Sequence, residues 1–379
     1  MSSIIIQPAN TKAEKEAFIR FAWSIYANYP HWVPPLLMDM RMKLINPKFS
    51  FNEFGTFQLY MAFRDGKPVG RIAAVENRLY NKTHEDKTGF FGFFECIDDQ
   101  SVADKLFDTA ADWLRQRGLS CIHGPASPSS NHDYGLLVDA YDDDPRLMMS
   151  YNPPYYRQLI ENYGFRCTQR LFAHKIDRET LIQSETKRRL ERVSKLVQER
   201  TKVQLRPINL KDMHNEVNII KDIWNVAWEK NYGFAPMTNK EIDEMAEGLK
   251  PIAEPALIQF GMVNNKVIGV AIALLDYNYI LKDFNGKLFP FNFLKMLFPN
   301  KKKVEWVRVI VLGLLPEYRG KGLDAFFYNA LLDNCTQHFP HVKFAEASWT
   351  LEDNFMINRA MESLDAKIYK TYHVYEKPL

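Results

Sequence analysis

A chain of 379 residues is longer than one hydrophobic core usually organises, so two domains are the default expectation. With 46% hydrophobic and 25% charged residues, disorder does not dominate the chain, and a net charge of +3 is too small a bias to make nucleic acid the main partner. No run of about 18 apolar residues and no basic leader with a long apolar stretch is present, which excludes a transmembrane helix and a signal peptide as readings. Cys96, Cys121, Cys167 and Cys335 show neither CxxC pairing nor a disulfide-framework spacing, so the expected compartment is the cytoplasm.

In chain order, IIIQPANTKAEKEAF opens with a short strand, a Pro-x-Asn turn and a helical pattern, and VQLRPINLKDMHNEV repeats that plan in mid-chain, so that Pro8 answers Pro207. DGKPVGRIAA is answered by NNKVIGVAIA, each a hairpin turn leading into a strand with one glycine. Gly70 and Gly269 keep the same offset as the two prolines, which argues for a duplication. A third pair, YNPPYYRQLIENYGF and DNFMINRAMESLDA, reads as an Asn-led helix late in each half, Asn152 answering Asn354. The sequence thus divides into a domain over 1–176, a charged, solvated linking helix over 177–202, and a domain over 203–379. Each half is α/β, a mixed sheet with helices on its faces. In the second half the pattern predicts strands at 203–208, 257–263, 266–275, 304–314, 342–348 and 367–376, with helices at 210–230, 239–249, 322–338 and 354–364.

The stretch PEYRGKGLDAFF lies where a strand ending near Leu314 hands over to a helix starting near Leu323. A helix start presents unpaired N–H groups and partial positive charge, glycines let the backbone approach an anion, and Arg319 and Lys321 add two cations. A phosphate or diphosphate suits that place. A P-loop does not fit, since six residues separate Gly313 from Gly320 and Lys321 is followed by Gly. The dinucleotide fingerprint is met in form by Gly320, Gly322 and Ala325, with Glu346 as ribose acid, but PEYR separates the strand from the first glycine and too little chain remains for further βαβ units.

This strand–loop–helix–strand unit resembles the coenzyme-A-binding segment of the GNAT acetyltransferase superfamily, whose pattern is Arg/Gln-x-x-Gly-x-Gly/Ala; Arg319 and Gly322 match, and Asp324 departs from the small residue at the last position. The resemblance extends over most of the second half. It implies two fused GNAT-like acyl-CoA N-acyltransferase domains, with acetyl-CoA or acyl-CoA as co-substrate and no metal. It also implies that the two strands flanking the loop splay apart and that Val311, Leu312, Gly313 and Leu314 offer backbone groups to the pantetheine arm. The Leu314 N–H would then polarise the thioester carbonyl. Gly320, Lys321, Gly322, Leu323 and Asp324 join Arg319 around the phosphates, and Asn354 completes the cofactor set. The first half has Asp98 and Asp99 at the equivalent helix start, where carboxylates repel a diphosphate, so it reads as a degenerate copy without cofactor.

Acyl transfer to an amine needs the neutral nucleophile, a penalty of roughly 4 to 5 kcal/mol for an alkylammonium at pH 7. Candidates for the base are Glu305, Glu346 and Glu352. Glu346 shares a strand face with Ser348 and is the first choice, with a salt-bridged sheet acid as the competing reading; Glu352 suits a helix N-cap and Glu305 a solvated strand start. Where many GNAT enzymes carry a tyrosine acid, this chain has Met361, leaving Tyr369 or Tyr372 as substitutes. Arg308 is expected on the face of Leu312 and Leu314.

The acceptor is read as an amine-bearing small molecule or lipid, with no nucleic acid involved; no feature of the sequence fixes an oligomeric state. The insertion YILKDFNGKLFPFNFLKMLFPNKKK, 279–303, reads as a packed lid or as an apolar flap touching lipid at the inner face of the membrane, its lysines meeting anionic groups. The loop 124–145 carries Asn131, Asp133 and the run Asp142, Asp143, Asp144, either a solvated turn or an attractor for a cationic amine. Two alternatives stand beside the enzyme. One is a non-catalytic acyl-CoA or lipid-binding protein, favoured by Met361, and the other a tandem-GNAT aminoacyl ligase, disfavoured by the RGKG loop.

Overall fold

The computed structural model describes residues 3–379. The chain begins with β1 (Ile4–Pro8), α1 (Lys12–Ile25), α2 (Leu37–Leu44), β2 (Gly55–Arg64), β3 (Lys67–Asn77), α3 (Arg78–His84), β4 (Thr88–Cys96), α4 (Gln100–Arg115) and β5 (Cys121–Gly124). Three short strands follow, β6 (Ala126–Ser127), β7 (Asp133–Tyr134) and β8 (Leu136–Leu137), then α5 (Tyr156–Asn162), β9 (Arg166–Asp177), α6 (Arg178–Gln183) and α7 (Glu185–Thr201). The second series is β10 (Gln204–Pro207), α8 (Met213–Trp228), α9 (Asn239–Leu249), β11 (Ile258–Val263), β12 (Lys266–Leu275), α10 (Asn278–Phe284) and α11 (Asn292–Leu297). It ends with β13 (Trp306–Leu314), α12 (Leu323–His338), β14 (Phe344–Leu351), α13 (Phe355–Ser363) and β15 (Lys367–Pro378).

The fold groups into two compact units. The first comprises the chain up to Leu171 with Ile280–Phe293 and Lys370–Leu379; the second comprises Phe172–Tyr279 and Leu294–Tyr369. Part of the 279–303 insertion and the end of the last strand therefore group with the first unit. In that unit β1, β2, β3 and β4 are antiparallel neighbours, β5 runs parallel to β4, and the end of β15 pairs with β5. The second unit repeats the order: β10, β11, β12 and β13 antiparallel, β14 parallel to β13.

The repeated residues have a physical reason. Pro8 and Pro207 each end the first strand of a unit. Gly70 lies under α4, where an added Cβ would come within 2.7 Å of Leu106 Cδ1, and Gly269 lies beside Leu314 and Phe327, where it would come within 2.6 Å of Leu314 Cδ2. Close approach of helix α4 at Gly70, and of the neighbouring strand β13 at Gly269, needs the missing Cβ. The third pair diverges. Asn354 caps α13 by accepting from the Ile357 N–H (3.3 Å), whereas Asn152 accepts from the Leu137 N–H (2.8 Å) and donates to the Leu137 carbonyl (3.1 Å).

α7 is not the solvated helix its charge suggests. Lys187 donates to Asn329 (2.8 Å) and to Asp333 (2.5 Å) on α12, Ser194 reaches the Ala325 carbonyl (3.4 Å), and Leu190, Ser194 and Val197 are buried. Their spacing makes one helix face, narrow enough to be masked by the surrounding charges. The Asp run is also spent inside its own unit. Asp143 binds Arg146 (2.6 Å) and Lys370 (2.8 Å), and Asp144 binds Lys282 (2.8 Å) and His31 (2.7 Å). Those acids are neither a solvated turn nor free for a cationic amine.

Lys370 is completely buried, and besides its ion pair it donates to the carbonyls of Asp143 (3.2 Å) and Asp144 (2.7 Å). Removing one partner of such a pair leaves uncompensated polar groups in the interior. Lys370→Met is expected to lower stability by about 3–5 kcal/mol in urea unfolding. A loss within the range of an exposed pair, below about 1 kcal/mol, would contradict this account.

Candidate active site

β13 and β14 pair from Trp306 opposite Phe344 to Val309 opposite Ala347 and no further. At that point β13 carries a bulge: Ala273 of β12 pairs with Val309 and Ile272 with Val311, so Ile310 is the extra residue. The bulge inverts the alternation beyond it. Arg308 therefore shares its face with Val311 and Gly313, and not with Leu312 and Leu314 as unbroken alternation implies. β13 itself stays on β12 as far as Leu314 opposite Gly269. The Leu315 N–H reaches the Ile268 carbonyl (2.9 Å), so by the alternation of an antiparallel ladder Leu312 and Leu314 turn their N–H and C=O groups to the side that β14 has left. Among the described residues no side chain hydrogen-bonds the backbone of 310–313, and the Leu314 carbonyl accepts from Arg319 Nε (3.2 Å).

Arg319 also donates to the Ala227 carbonyl at the end of α8 (2.9 Å). The sequence alone assigned its charge to phosphates; the structure uses the guanidinium to fasten the loop to the strand end and to α8. Gly320 (φ +70°) and Gly322 (φ +77°) hold left-handed conformations that favour glycine, and nothing lies within 4 Å of a Cβ added at Gly320. Lys321 is exposed, its Nζ 5.1 Å from the centre of the Tyr318 ring. α12 starts at Gly322 without a side-chain cap, unlike α1 and α9, which start with Thr11/Glu14 and Thr238/Glu241 capping boxes. Leu323 is buried and Asp324 stands in the first turn. Open N–H groups beside two flexible glycines form a place for an anion, with Asp324 as the one feature against it.

The candidate base lies elsewhere. Glu346 is completely buried, its oxygens accept from the Ser348 and Tyr369 hydroxyls, and Arg308 lies 3.5 Å away while donating to Ser348 Oγ (2.7 Å). Glu346 and Tyr369 are thus brought together, in the arrangement of a salt-bridged sheet acid. Met361 is fully buried among Ile176, Leu190 and Leu364, so the position that would hold a general acid belongs to the core. Glu305 pairs with Lys343 at the exposed strand start (2.5 Å). Beside the end of β14, Lys230, Tyr232, Asp353, Asn354, Phe355 and Met356 line a cleft of about 290 Å³.

The equivalent junction in the first unit has been closed by protein. β4 and β5 part after Phe90 opposite His123. The freed edge of β4 then meets side chains: Ser127 Oγ accepts from the Phe93 N–H (2.9 Å), the Tyr156 hydroxyl from the Cys96 N–H (2.9 Å), and the Tyr155 hydroxyl donates to the Cys96 carbonyl (2.7 Å). Asp99 caps α4 through the Ser101 N–H (2.9 Å) and pairs with Arg64 (2.7 Å).

Next to that edge stands a buried pair that the sequence reading passed over. Arg71 lies 3.3 Å from Glu95, whose other oxygen accepts from the Tyr156 hydroxyl (2.6 Å). The available signal was a lone acid closing FFGFFEC and a lone base inside VGRIAA, each in an otherwise apolar strand. Among the described residues Cys121, His123 and Glu376 also bring ligand-type atoms within 4.8 Å of one another, but burial pushes the Cys121 thiol up to about 11 and His123 already binds Glu376 (2.8 Å).

Burial pushes the Glu95 carboxyl above the ordinary value of 4.5, and Arg71 with the tyrosine hydroxyls offsets only part of that rise. The folded state then holds a proton over a pH range in which the unfolded state has lost it, so Glu95 makes stability fall as pH rises from about 4.5 toward the folded value. Glu95→Gln lacks this slope. Its stability relative to the unaltered protein should increase with pH above about 4.5 in denaturant melts, and parallel curves would refute the assignment.

No protein-family model matches the chain. It is 32% identical over 371 residues to Protein YghO of Escherichia coli (strain K12), covering 97% of this chain and 94% of that protein. It is 33% identical over 385 aligned positions to the bacterial ceramide synthase of Caulobacter vibrioides (strain NA1000 / CB15N), covering 100% and 98%. Among solved structures, a tandem GNAT protein from the clavulanic acid biosynthesis pathway superposes with a TM-score of 0.58 at 10% identity, covering 99% of this chain and 98% of that one. A GCN5-related N-acetyltransferase from Sphaerobacter thermophilus gives 0.52 at 10% identity, with 99% and 95% covered. Two fused GNAT-like α/β domains are therefore the fold, and the chain belongs to the family that includes YghO and the bacterial ceramide synthase.

Proposed function

We propose that this protein is an acyl-CoA-dependent N-acyltransferase whose acceptor is a lipid amine. The observation that carries the reading is the junction in the second unit, where a strand freed from its parallel neighbour leads through a glycine-rich loop into an uncapped helix. The diphosphate rests on the N–H groups from Gly320 to Asp324 with Lys321 beside it, and the pantetheine arm runs along the freed edge, pairing with Leu312. The Leu314 N–H polarises the thioester carbonyl. The neutral amine attacks the carbonyl carbon, the C–N bond forms and the C–S bond breaks. The departing thiolate takes up the proton that the attacking nitrogen sheds. Tyr369, held by Glu346, is the proton-handling group we assign nearest the strand pair.

A long-chain acyl donor and a sphingoid-type amine are favoured by the relative named as a ceramide synthase, because a ceramide is an N-acylated long-chain amino alcohol. Lipid substrates call for contact with a membrane, and among the described residues no helix is long and apolar enough to cross one. The insertion supplies an alternative. Phe289, Phe291, Leu294, Leu297 and Phe298 are exposed, Phe298 by 81%, and Lys301, Lys302 and Lys303 follow directly. Such a segment suits peripheral contact with an anionic surface.

Palmitoyl-CoA and acetyl-CoA, offered with a panel of amines, should release free thiol, with the long-chain pair fastest. Gly320→Val, which puts a β-branched residue at φ +70°, and Arg319→Glu, which unfastens the loop and reverses its charge, are each expected to weaken acyl-CoA binding at least about tenfold. Calorimetry with no heat for any thioester would remove the enzyme; binding without thiol release would leave a carrier. The double variant Phe291→Ser/Phe298→Ser gives up about 2 kcal/mol or more of apolar burial in lipid, so sedimentation with phosphatidylglycerol vesicles should fall more than tenfold. Equal sedimentation would move the membrane contact elsewhere.

A further inference from the structure

Where the last strand of the chain joins the first unit, three side chains of metal-binding type face one another. Cys121 and His123 belong to β5, and residues two apart along a strand project to the same face. Glu376 on β15 is the antiparallel partner of His123, as Pro378 is of Cys121, and directly opposed residues of such a pair share a face as well. Cys121 Sγ, a His123 ring nitrogen and a Glu376 oxygen accordingly lie within 4.8 Å of one another. Sequence spacing hides the set, because Glu376 stands 253 positions from His123.

The fold holds these donors in place. The His123 side chain is only 9% exposed and stands edge-on to Phe90, ring centres 6.1 Å apart and planes at 87°. Its Nε2 lies 2.8 Å from Glu376 Oε2, and Cys121 Sγ lies 3.4 Å from the Lys377 carbonyl. Zinc bonds of about 2.0–2.1 Å to nitrogen and about 2.0–2.2 Å to oxygen set two such ligands roughly 3.3 Å apart in a tetrahedron, so the His123–Glu376 contact opens by about half an ångström to admit the ion. The Glu376 side chain is 42% exposed, which gives it room for that movement and gives the ion a way in from solvent. Surrounding charge favours a cation. The Asp86 carboxylate is close enough to act on both Cys121 and His123, and it is itself fixed by the Thr88 hydroxyl (2.5 Å) and the Lys87 N–H (2.7 Å). Lys377, next to Glu376 in the chain, turns away, its Nζ 5.0 Å from the centre of the Tyr163 ring.

We infer that Cys121, His123 and Glu376 form a binding site for a zinc-class divalent cation, a clip that fastens the end of β15 to β5. Sulfur and imidazole donors select such an ion over magnesium or calcium, which prefer oxygen. On binding, the ion replaces the Cys121 proton, which leaves to solvent, and exchanges the His123–Glu376 hydrogen bond for two metal bonds. Three protein ligands leave the fourth tetrahedral position to water. The site is independent of the N-acyltransferase reading and has no part in acyl transfer.

The test uses the full chain, treated with a chelator and then titrated with cobalt(II) or zinc(II) alone. Cobalt(II) should bind to one equivalent and produce the near-ultraviolet thiolate-to-cobalt band with the visible bands of a tetrahedral site, and zinc(II) should abolish both. Cys121→Ser should remove the thiolate band, whereas Cys167→Ser, at an exposed cysteine, should keep it. His123→Gln and Glu376→Gln should each weaken zinc(II) at least about tenfold in competition with a chromophoric chelator. Glu376→Gln changes a solvent-facing side chain and decides the matter if His123→Gln fails to fold. Saturating zinc(II) should raise the melting temperature of the unaltered protein and leave that of Cys121→Ser where it was. A missing thiolate band, a band that survives in Cys121→Ser, or equal zinc(II) affinity in Glu376→Gln would overturn the inference.

Discussion

Two parallel strands that part in mid-sheet leave backbone N–H and C=O groups with no ladder to complete. Buried main-chain groups in native proteins are almost always paired, so each parting demands a partner of some kind. In the first unit the partners are protein: a serine and two tyrosines close the edge of β4. In the second unit the bulge at Ile310 and the end of the β13–β14 ladder at Val309 leave Leu312 and Leu314 turned outward, and among the described residues only the Leu314 carbonyl has found a side chain. The same architecture thus occurs twice, once satisfied internally and once left for something that arrives from outside.

The helix that follows each parting obeys the same division. α4 begins under Asp99, which caps its first turn and is itself paired with Arg64; an anion would meet a carboxylate there. α12 begins at a left-handed glycine with no capping side chain. A helix start left open in this way is stabilised by whatever anion occupies it, and the nearby lysine favours the same occupant. Asp324, one position into that helix, supports the helix dipole when the site is empty and competes with a ligand when it is full.

How far the sequence could be read follows from the range of the interactions involved. Gly70 and Gly269 were legible because close packing, of a helix at the first and of a neighbouring strand at the second, forbids a side chain there, and the RGKG loop because its chemistry is contiguous. The same holds for the duplicated order of strands and helices. The face of Arg308 was not legible, since a bulge changes the period by one residue without any local composition to announce it. The two carbonyls that Arg319 binds, those of Leu314 and Ala227, were not legible either, because backbone atoms carry no sequence identity. The pairing of Asp143 with Lys370 and of Asp144 with Lys282 joins residues 227 and 138 positions apart, and the Arg71–Glu95 pair hides in strands that read as apolar.

That hidden pair bears on why the two units differ. Closing the β4 edge brought the Tyr156 hydroxyl within reach of Glu95, and with Arg71 on the other side a carboxylate can remain in the interior. An ion pair held this way is a poor source of stability compared with apolar packing of equal volume, so its position beside a cavity needs a reason other than folding. In the second unit the buried acid is Glu346 on β14, the counterpart of β5 and not of β4, and Ser348, Tyr369 and Arg308 contact it within the sheet. One copy therefore keeps an open backbone edge, the other a sealed edge with a buried acid beside a cavity. Divergence of that kind gives the two units opposite electrostatic character, an open helix start that suits an anion in one and a buried carboxylate beside a cavity in the other.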